Sequence, residues 1–244
     1  MTIKVAVVGA TGRMGKLALE LIDAAQDMSL HAALDSRSEL AEVLGADVVF
    51  DVTLPDASPT VVKFCVDNGL KVVVGTSGWS AAKLASVEAQ LKNAPDTAAV
   101  IIIPNFSIGS MLASKFAALA APYFDSIEIV EAHHAGKIDS PSGTAVRTAE
   151  MIGTARAELT QPLIPGVGQE ARGQVVAGVP IHSMRLAGVS AKQEVYFGGI
   201  DEVLTISHDT ASTKAYTQGI LLCVRKSAAA TGLVVGLQAV IEGN

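Results

Sequence analysis

The segment from residue 131 to residue 144 concentrates side chains that transfer protons and bind anions. His133 and His134 are adjacent, Lys137 follows them, and a Ser-Gly-Thr triplet at 142–144 stands where a helix is predicted to begin. A histidine exchanges protons near neutral pH, a lysine holds or protonates a developing anion, and free N–H groups at a helix N-terminus bind carboxylates. Together these residues predict a site for an acidic substrate that has to be protonated.

The same cluster has two other interpretations. Two neighbouring histidines could hold a metal ion, but adjacent residues of a strand point to opposite faces, and no third ligand stands nearby at helical spacing. The sequence therefore predicts no metal site. For a single histidine a structural role is the default interpretation. Here Lys137 and the Ser-Gly-Thr triplet lie close by in the sequence, which favours a catalytic role instead.

Three glycines, Gly9, Gly12 and Gly15, mark the turn between a predicted strand and a predicted helix. Glycines permit a tight turn and a close approach of the backbone to a pyrophosphate, which then lies on the N–H groups of the helix N-terminus. Asp35 follows roughly 20 residues after the last glycine, the spacing at which an acidic residue binds ribose hydroxyls. In this context the pattern predicts a dinucleotide-binding site rather than a purely structural turn.

A nucleoside-triphosphate loop is the competing interpretation of the glycines. That loop needs a glycine where Ala10 stands and a serine or threonine where Leu17 stands, so its magnesium ligand is missing. Asp35 favours the unphosphorylated dinucleotide, whereas Arg13 and Arg37 could meet a 2′-phosphate. We therefore expect NADH, NADPH or both as cofactor. The alternative interpretation of Arg37 is a solvated loop charge.

Short apolar strands alternate with helical patterns through the first half of the chain. The strands are rich in β-branched residues and lack polar alternation, which is typical of parallel strands buried on both faces. Strands are predicted at 3–8, 30–34, 47–52, 72–74 and 100–103, and helices at 15–25, 60–68 and 81–92. This alternation predicts an α/β fold with a Rossmann-like, doubly wound parallel sheet.

After Pro104-Asn105 the pattern changes. One strand leads into His133, a helix runs from about 145 to 159, a Pro/Gly-rich loop covers 161–178, and closely spaced strands follow at 181–186, 193–197 and 203–208. Such short connections indicate a mixed or antiparallel sheet, hence a smaller α+β domain. The helix 216–227 and the strand 233–237 are expected to return to the first domain. The predicted domains are 1–105 with 214–244 for dinucleotide binding, and 106–213 for substrate binding and oligomerisation.

Composition argues against several classes of function. The formal net charge of −6 and the aromatic content of 4% disfavour a nucleic-acid surface of basic patches and stacking rings. Cys65 and Cys223 are the only cysteines and each lies in an apolar run, which argues against a disulfide framework or a cysteine-rich metal site. The remaining partners are small molecules and other protein chains.

Neither a membrane span nor an export signal is predicted. The longest stretch without a charged residue, 97–114, contains Pro104, Asn105 and Gly109, whereas a spanning helix needs roughly 20 predominantly apolar residues. The first residues lead directly into Val5–Val8 without the basic, apolar and cleavage regions of a signal peptide. We therefore expect a cytoplasmic protein.

The segment 128–145, Glu-Ile-Val-Glu-Ala-His-His-Ala-Gly-Lys-Ile-Asp-Ser-Pro-Ser-Gly-Thr-Ala, resembles the signature of the 4-hydroxy-tetrahydrodipicolinate reductase family, also called dihydrodipicolinate reductases. Three further segments are similar to family segments, at 73–79 (Val-Val-Gly-Thr-Ser-Gly-Trp), at 104–109 (Pro-Asn-Phe-Ser-Ile-Gly) and between 195 and 208. The resemblance covers nearly the whole chain. The short connection between Asp35 and Asp47 resembles the actinobacterial branch.

The resemblance implies a reaction and the residues that perform it. It implies NAD(P)H-dependent reduction of 4-hydroxy-tetrahydrodipicolinate to tetrahydrodipicolinate in lysine and diaminopimelate synthesis, in a homotetramer assembled through the second sheet. His133 would donate and accept the proton, and Lys137 would donate a proton and fix the substrate. The substrate carboxylates would be held by His134, Ser142, Gly143 and Thr144. Cofactor contacts would fall on Gly9, Ala10, Thr11, Gly12, Arg13, Met14, Asp35, Gly75, Thr76, Ser77, Ile103, Pro104, Asn105 and Phe106, in addition to Arg37.

Some residues depart from the family pattern. Where the family often has Asp-Phe-Thr-His/Arg-Pro, this chain has Val52 and Leu54, which removes a ring expected near the nicotinamide. Lys192 replaces a common histidine, and Ser77 replaces the usual threonine. Two alternatives stay open: another dehydrogenase of the same fold, which does not need the His-His and Ser-Gly-Thr cluster, and a cofactor-sensing regulator, which predicts binding without turnover.

Overall fold

The computed structural model of the protein describes residues 2–159 and 169–243. Within these residues the chain forms eleven β-strands and seven α-helices. The strands are β1 Ile3–Val8, β2 Met28–Leu34, β3 Val48–Asp51, β4 Lys71–Val74, β5 Ala99–Ile102, β6 Ser126–His134, β7 Gln174–Val176, β8 Val179–Leu186, β9 Ala191–Gly199, β10 Glu202–Thr210 and β11 Gly232–Val235. The helices are α1 Arg13–Ala24, α2 Ser58–Asp67, α3 Ala81–Leu91, α4 Ile108–Ala120, α5 Gly143–Ala155, α6 Thr217–Ser227 and α7 Leu237–Glu242.

The chain divides into two units, Met1–Ile108 with Thr213–Asn244 and Gly109–Ser212. The first unit contains a six-stranded sheet in the order β11-β5-β4-β3-β1-β2, with every neighbouring pair parallel. The strand order reverses between β1 and β3, which is the point where doubly wound sheets bind ligands. The predicted parallel sheet is confirmed, and so is the return of the C-terminal strand to it.

The core of the first unit explains why its strands read as continuous apolar runs. Every residue of β3 and of β5 is buried, and the side chains are mostly valine and isoleucine. Helices cover both faces of such a sheet, so neither face needs polar residues. Each fully buried Val or Ile side chain contributes about 1.5–3 kcal/mol, which fixes the strands whose carboxyl ends carry the candidate site.

The second unit contains a five-stranded mixed sheet in the order β10-β9-β6-β8-β7. The central strand β6 runs parallel to β8 and antiparallel to β9. One face of the sheet is buried beneath α5, with Ile129, Val195 and Phe197 in its core. The mixed sheet that the short connections predict is therefore confirmed.

Several elements differ from the prediction. Helices α4 and α7 and the strand β7 were not expected, α1 begins two residues earlier, and α5 ends at Ala155 rather than 159. Part of the predicted loop 161–178 lies outside the described residues. Its last part forms a hairpin, because Ala177 and Gly178 both adopt positive φ and join β7 to β8 in a two-residue turn. Within the described residues no helix has the length and apolar character needed to cross a membrane.

Candidate active site

His133 and Glu131 lie on the same face of β6, because side chains two residues apart on a strand point the same way. The imidazole Nδ1 of His133 lies 2.5 Å from Oε2 of Glu131. A carboxylate accepts a hydrogen bond, so Nδ1 carries a hydrogen and donates it. The second ring nitrogen, Nε2, is then the atom that can exchange a proton with a substrate.

The carboxylate of Glu131 is completely buried and holds several parts of the site together. It accepts two hydrogen bonds from the Arg185 guanidinium, each 3.0 Å long, and one of 3.2 Å from the N–H of Ser142. Burial alone would raise the pKa of Glu131, but hydrogen bonds from Arg185, Ser183 and His133 outweigh it and hold the pKa below its ordinary value. The group is therefore an anion at neutral pH.

The pKa of His133 lies below its ordinary value of 6.5. Burial is the main cause, the nearby charges of Lys137 and Arg185 act in the same direction, and the hydrogen bond and charge of Glu131 oppose them. The imidazole is thus predominantly neutral at pH 7 in the unliganded protein. An anionic ligand nearby would favour the charged form and raise the pKa.

Lys137 lies in the loop that follows β6, and its ammonium is paired with Asp139. Both carboxylate oxygens of Asp139 lie 2.7 Å from Nζ, and this pair lowers the pKa of Asp139. The two partners are unequally covered: the Lys137 side chain is 19% exposed and that of Asp139 66%. A ligand carboxylate can therefore replace the exposed Asp139 while the ammonium stays in place.

Helix α5 begins directly beside this cluster. Ser142 is its N-cap, and the Ser142 hydroxyl accepts a hydrogen bond of 3.2 Å from the N–H of Ala145. The first turn carries no acidic side chain, and the space around Gly143 is open for 4 Å where a Cβ would stand. A helix N-terminus with this environment can bind a carboxylate.

The structure does not join His134 to the Glu131 network. His134 is exposed, its alternate position on β6 directs it to the other face, and no hydrogen bond links its ring to the described residues. A Cβ on Gly136 would lie 3.5 Å from Nδ1 of His134. His133, Lys137 and Ser142 are brought together; His134 lies beside them in sequence but not within their network.

In the first unit the glycine loop connects β1 to α1. Gly9 has φ +89°, and a Cβ there would lie 2.7 Å from the carbonyl oxygen of Val52. A Cβ on Gly15 would lie 2.2 Å from the carbonyl oxygen of Gly9, so only glycine lets the helix approach the turn this closely. Helix α1 has Gly12 as N-cap, no side-chain cap and no acid in its first turn. This helix end is suited to a pyrophosphate.

Asp35 follows β2 and is already hydrogen-bonded. Its carboxylate accepts bonds from the N–H of Arg37 at 2.8 Å and from the Arg37 guanidinium at 2.9 Å, and both lower the pKa of Asp35. The Arg37 side chain is 88% exposed. The two residues that the sequence suggested for the ribose end of the cofactor therefore form an ion pair in which Arg37 is exposed and Asp35 is half-buried.

The remaining predicted cofactor residues follow β4 and β5 at the same edge of the parallel sheet. A Cβ on Gly75 would lie 2.6 Å from the ring of Phe106 and 3.0 Å from Val52 Cγ1. Thr76 is buried, with its hydroxyl bonded to the carbonyl of Thr53 at 3.0 Å, whereas Ser77 is exposed. Ile103 and Phe106 are buried, while Pro104 is exposed and Asn105 half-buried. The buried members shape the backbone, so only the others can offer side chains to a ligand.

Comparisons with known proteins agree across the chain. A family model described as dihydrodipicolinate reductase, N-terminus, matches residues 3–106, and one described as dihydrodipicolinate reductase, C-terminus, matches residues 109–241. The chain belongs to the dihydrodipicolinate reductase family. A 4-hydroxy-tetrahydrodipicolinate reductase of Clavibacter sepedonicus is 53% identical over 99% of this chain and 87% of its own length. One from Streptomyces griseus subsp. griseus is 44% identical over 99% of each chain.

A solved structure of the family is also similar. Dipicolinate-bound dihydrodipicolinate reductase from Paenisporosarcina sp. TG-14 superposes with a TM-score of 0.80 at 32% identity, over 98% of this chain and 99% of that one. These findings confirm the family, its actinobacterial relatives and the fold expected from the sequence. The chain is an NAD(P)H-dependent oxidoreductase that reduces 4-hydroxy-tetrahydrodipicolinate in lysine and diaminopimelate biosynthesis.

Sequence reasoning gave no role to three charged side chains that the structure places in hydrogen-bond networks. The sequence suggested no role for Glu131, although its position two residues before His133 on a strand already places both side chains on one face. Arg185 had no signal, because its pairing opposite His133 depends on the register between β6 and β8. Asp51 is buried at the end of β3 and binds the hydroxyls of Ser58 and Thr53, and burial raises its pKa. Among the described residues no group of three His, Cys, Asp or Glu side chains could hold a metal ion.

Proposed function

We propose that His133 delivers the proton in the reduction of 4-hydroxy-tetrahydrodipicolinate to tetrahydrodipicolinate. The observation that carries the proposal is the 2.5 Å contact between His133 Nδ1 and the buried Glu131 carboxylate. This contact holds the ring in one tautomer and leaves Nε2 to transfer the proton to a ring carbon of the substrate. When bound, the reduced nicotinamide would supply a hydride to the neighbouring ring carbon, which becomes unsaturated when the 4-hydroxyl group leaves as water.

Charge explains how a histidine with a lowered pKa becomes a proton donor. The substrate carries two carboxylates, and their negative charge stabilises the imidazolium form of His133. Binding therefore raises the pKa of His133 at the moment when the proton is needed. Lys137 assists by binding a carboxylate in place of Asp139 and by donating a hydrogen bond to charge that develops on the ring.

We assign the other carboxylate contacts to the start of α5. The N–H groups of Gly143 and Thr144 and the hydroxyl of Ser142 form this end of the helix, and His134 would add a contact from its exposed position. The dipicolinate bound to the relative from Paenisporosarcina is a planar dicarboxylate, which supports a small dicarboxylate as substrate.

The glycine loop and the strand ends of the first unit would hold the dinucleotide. The residues present fit a pyrophosphate, because glycines at 9 and 15 leave no room for a Cβ and α1 begins without a cap or an acid. The predicted contacts of Gly9 to Met14, and those of residues 75–77 and 103–106, are part of this proposal. Val52 replaces the ring expected near the nicotinamide, so we expect the nicotinamide itself to be held less tightly there.

Asp35 and Arg37 would set the preference between NADH and NADPH. Arg37 shields the Asp35 carboxylate in the unliganded pair, and its exposed guanidinium can turn to a 2′-phosphate. Asp35→Ala should shift the ratio of kcat/KM values toward NADPH, and Arg37→Ala should shift it toward NADH. We expect about 3- to 10-fold each, because exposed ion pairs contribute at most about 1 kcal/mol. Lys63→Ala, in the exposed Lys63–Asp67 pair of α2, is the matched control and should leave the ratio unchanged.

We also propose a cytoplasmic homotetramer assembled through the second sheet. The face of this sheet opposite α5 carries exposed apolar side chains, namely Val175, Met184, Leu186 and Val203. Exposed apolar area of this kind favours association between copies. Light scattering on the wild-type chain and on Met184→Lys/Val203→Lys tests the assembly: a tetramer in both would remove this face from it.

One coupled assay tests the reaction itself. The upstream synthase generates the unstable substrate from pyruvate and aspartate semialdehyde, and oxidation of NADH or NADPH is followed by absorbance. Substrate-dependent oxidation with at least one cofactor is expected. Cofactor binding without any turnover would instead support a cofactor-sensing regulator.

A further inference from the structure

Arg185 connects three parts of the candidate active site through one planar side chain. Nη1 and Nη2 each donate one hydrogen bond to the Glu131 carboxylate, at 3.0 Å. The remaining donors reach carbonyl oxygens: Nη1 bonds Met184 at 2.7 Å, Nη2 bonds Asp139 at 2.6 Å and Nε bonds Lys137 at 3.3 Å. All five N–H groups of the guanidinium are therefore used.

The Glu131 carboxylate is equally saturated. Oε2 accepts from His133 and Arg185, and Oε1 accepts from Arg185 and the backbone N–H of Ser142. The Ser183 hydroxyl is also hydrogen-bonded to this carboxylate, so all of its roughly four acceptor positions are used. A buried carboxylate with this many donors is held in one orientation. It therefore also fixes the orientation of the His133 ring and of Ser142, the N-cap of α5.

We propose that Glu131 and Arg185 are paired positioning residues for the proton transfer. Arg185 keeps Glu131 in place as an anion and fixes the backbone that carries Lys137. Glu131 holds the His133 ring with Nδ1 as donor and Nε2 free, and it anchors Ser142 at the start of α5. Neither residue needs to touch the substrate. The proposal rests on the role of His133 given under the proposed function.

The charged groups around the His133 ring decide the direction of the expected effects. They are Glu131 on β6, Arg185 on β8 and the Lys137–Asp139 pair in the loop after β6. The hydrogen bond and charge of Glu131 raise the pKa of His133, while Lys137 and Arg185 lower it. Replacing Glu131 by glutamine must therefore lower the pKa of His133 further, and because an amide can donate as well as accept, it no longer fixes the Nδ1–H tautomer.

Glu131→Gln is the first variant. We expect kcat to fall about 10- to 100-fold, by analogy with the loss seen when the hydrogen-bond partner that orients a metal-binding histidine is removed. The high-pH limb of the kcat/KM profile should move to lower pH, since His133 loses its proton earlier. The KM for the cofactor should not change. Glu128→Gln, on the same strand but the opposite face, is the matched control and should leave both kcat and the pH profile as in the wild type.

Arg185→Lys and the double variant Glu131→Gln/Arg185→Met separate positioning from general damage to the fold. Arg185→Lys keeps the charge but loses the planar fork, so we expect a lower kcat and a higher KM for the substrate with little change in the pH limb. The double variant removes both charges and leaves no buried ion without a partner, so it should fold. If the pair acts as one unit, its kcat loss should be close to that of Glu131→Gln alone rather than the product of the two single losses.

A measurement without turnover distinguishes this proposal from the proposed function. Nitrogen NMR of the imidazole rings should report the Nδ1–H tautomer for His133 in the wild type and a mixture in Glu131→Gln. If the wild type shows this tautomer but does not reduce the substrate, the proposed function fails and the positioning pair stands. A folded Glu131→Gln protein with wild-type kcat, pH profile and tautomer would overturn the pair itself.

Discussion

Strand β6 carries two clusters of the same three residue types on opposite faces of one sheet. Glu128 binds Arg172 and His182, at 2.7 Å each, and Glu131 binds Arg185 and His133, at 3.0 and 2.5 Å. The first carboxylate side chain is 35% exposed and the second is fully buried. Each oxygen of Glu128 accepts one of these hydrogen bonds, whereas Glu131 also accepts from the second terminal nitrogen of Arg185, from the N–H of Ser142 and from the Ser183 hydroxyl.

Residue types alone therefore do not make an active site. In both clusters burial raises the pKa of the carboxyl and its partners lower it more, so both are anions. Only the Glu131 cluster also lies beside a helix N-terminus and a lysine, and in that cluster burial and neighbouring cations lower the pKa of His133. The Glu128 cluster joins β6 to β8 through His182, whereas we propose that the Glu131 cluster prepares a proton donor.

The largest expected effect comes from replacing the histidine of each cluster in turn. His133→Gln should lower kcat by roughly 10²–10⁴, the usual contribution of general acid–base catalysis. His182→Gln, in the Glu128 cluster, should stay within about twofold of the wild type. The coupled assay measures both, and cofactor affinity measured by fluorescence should be the same in both. Equal losses in the two variants would mean that the clusters do not differ in function.

A second test compares the stability of the two carboxylates. Glu131→Gln leaves Arg185 without its charge partner in a largely buried place, so we expect a loss of about 3 kcal/mol in the free energy of unfolding. Glu128→Gln affects a partly exposed pair and should cost at most about 1 kcal/mol. Urea unfolding measures both. A loss for Glu128→Gln as large as that for Glu131→Gln would contradict the contrast in burial.

Acid should reduce both stability differences. The pKa of each carboxyl is lower in the folded protein than its ordinary value of 4.5, so the stabilisation is fully present above pH 4.5 and is lost as the pH falls through the folded value. Repeating the urea series at decreasing pH should therefore bring each variant closer to the wild type. A stability gap that does not change with pH would mean that packing, not charge, causes the loss.

The third test uses the pH dependence of the reaction. His133 has to be protonated to donate, and its pKa in the free protein lies below 6.5, so kcat/KM should fall as pH rises through that value, by about tenfold per pH unit. The limb of kcat should lie at higher pH, because the bound dicarboxylate stabilises the imidazolium. Rate profiles with wild type and His182→Gln should coincide. Coincident limbs for kcat and kcat/KM would argue against a pKa raised by the substrate.

Much of the fold could be predicted from local patterns, and the exceptions have physical reasons. The apolar runs of β1 to β5 gave the parallel sheet because both faces of such a sheet are buried. Helix α4 was missed because its residues continue an uncharged stretch with Pro104, Asn105 and Ser107 before it. The strand β7 was missed because three residues between Gly173 and the turn at Ala177-Gly178 read as loop.

Local patterns in the sequence are enough to identify the candidate catalytic and binding residues. The glycine spacing, Asp35 and the His-His-Lys-Ser-Gly-Thr cluster are local patterns, and local backbone geometry is enough to give each of them a meaning. Alternation along β6 was also enough to separate His133 from His134.

Which of these residues contact one another is visible only in the tertiary structure. Arg185 lies 54 residues after Glu131 in the chain, and it meets that carboxylate because β8 pairs with β6 in one register. The same folding buries Glu131 and leaves Glu128 partly in water. Burial and long-range register are properties of the packed sheet, and they set the charge and tautomer on which the proton transfer depends.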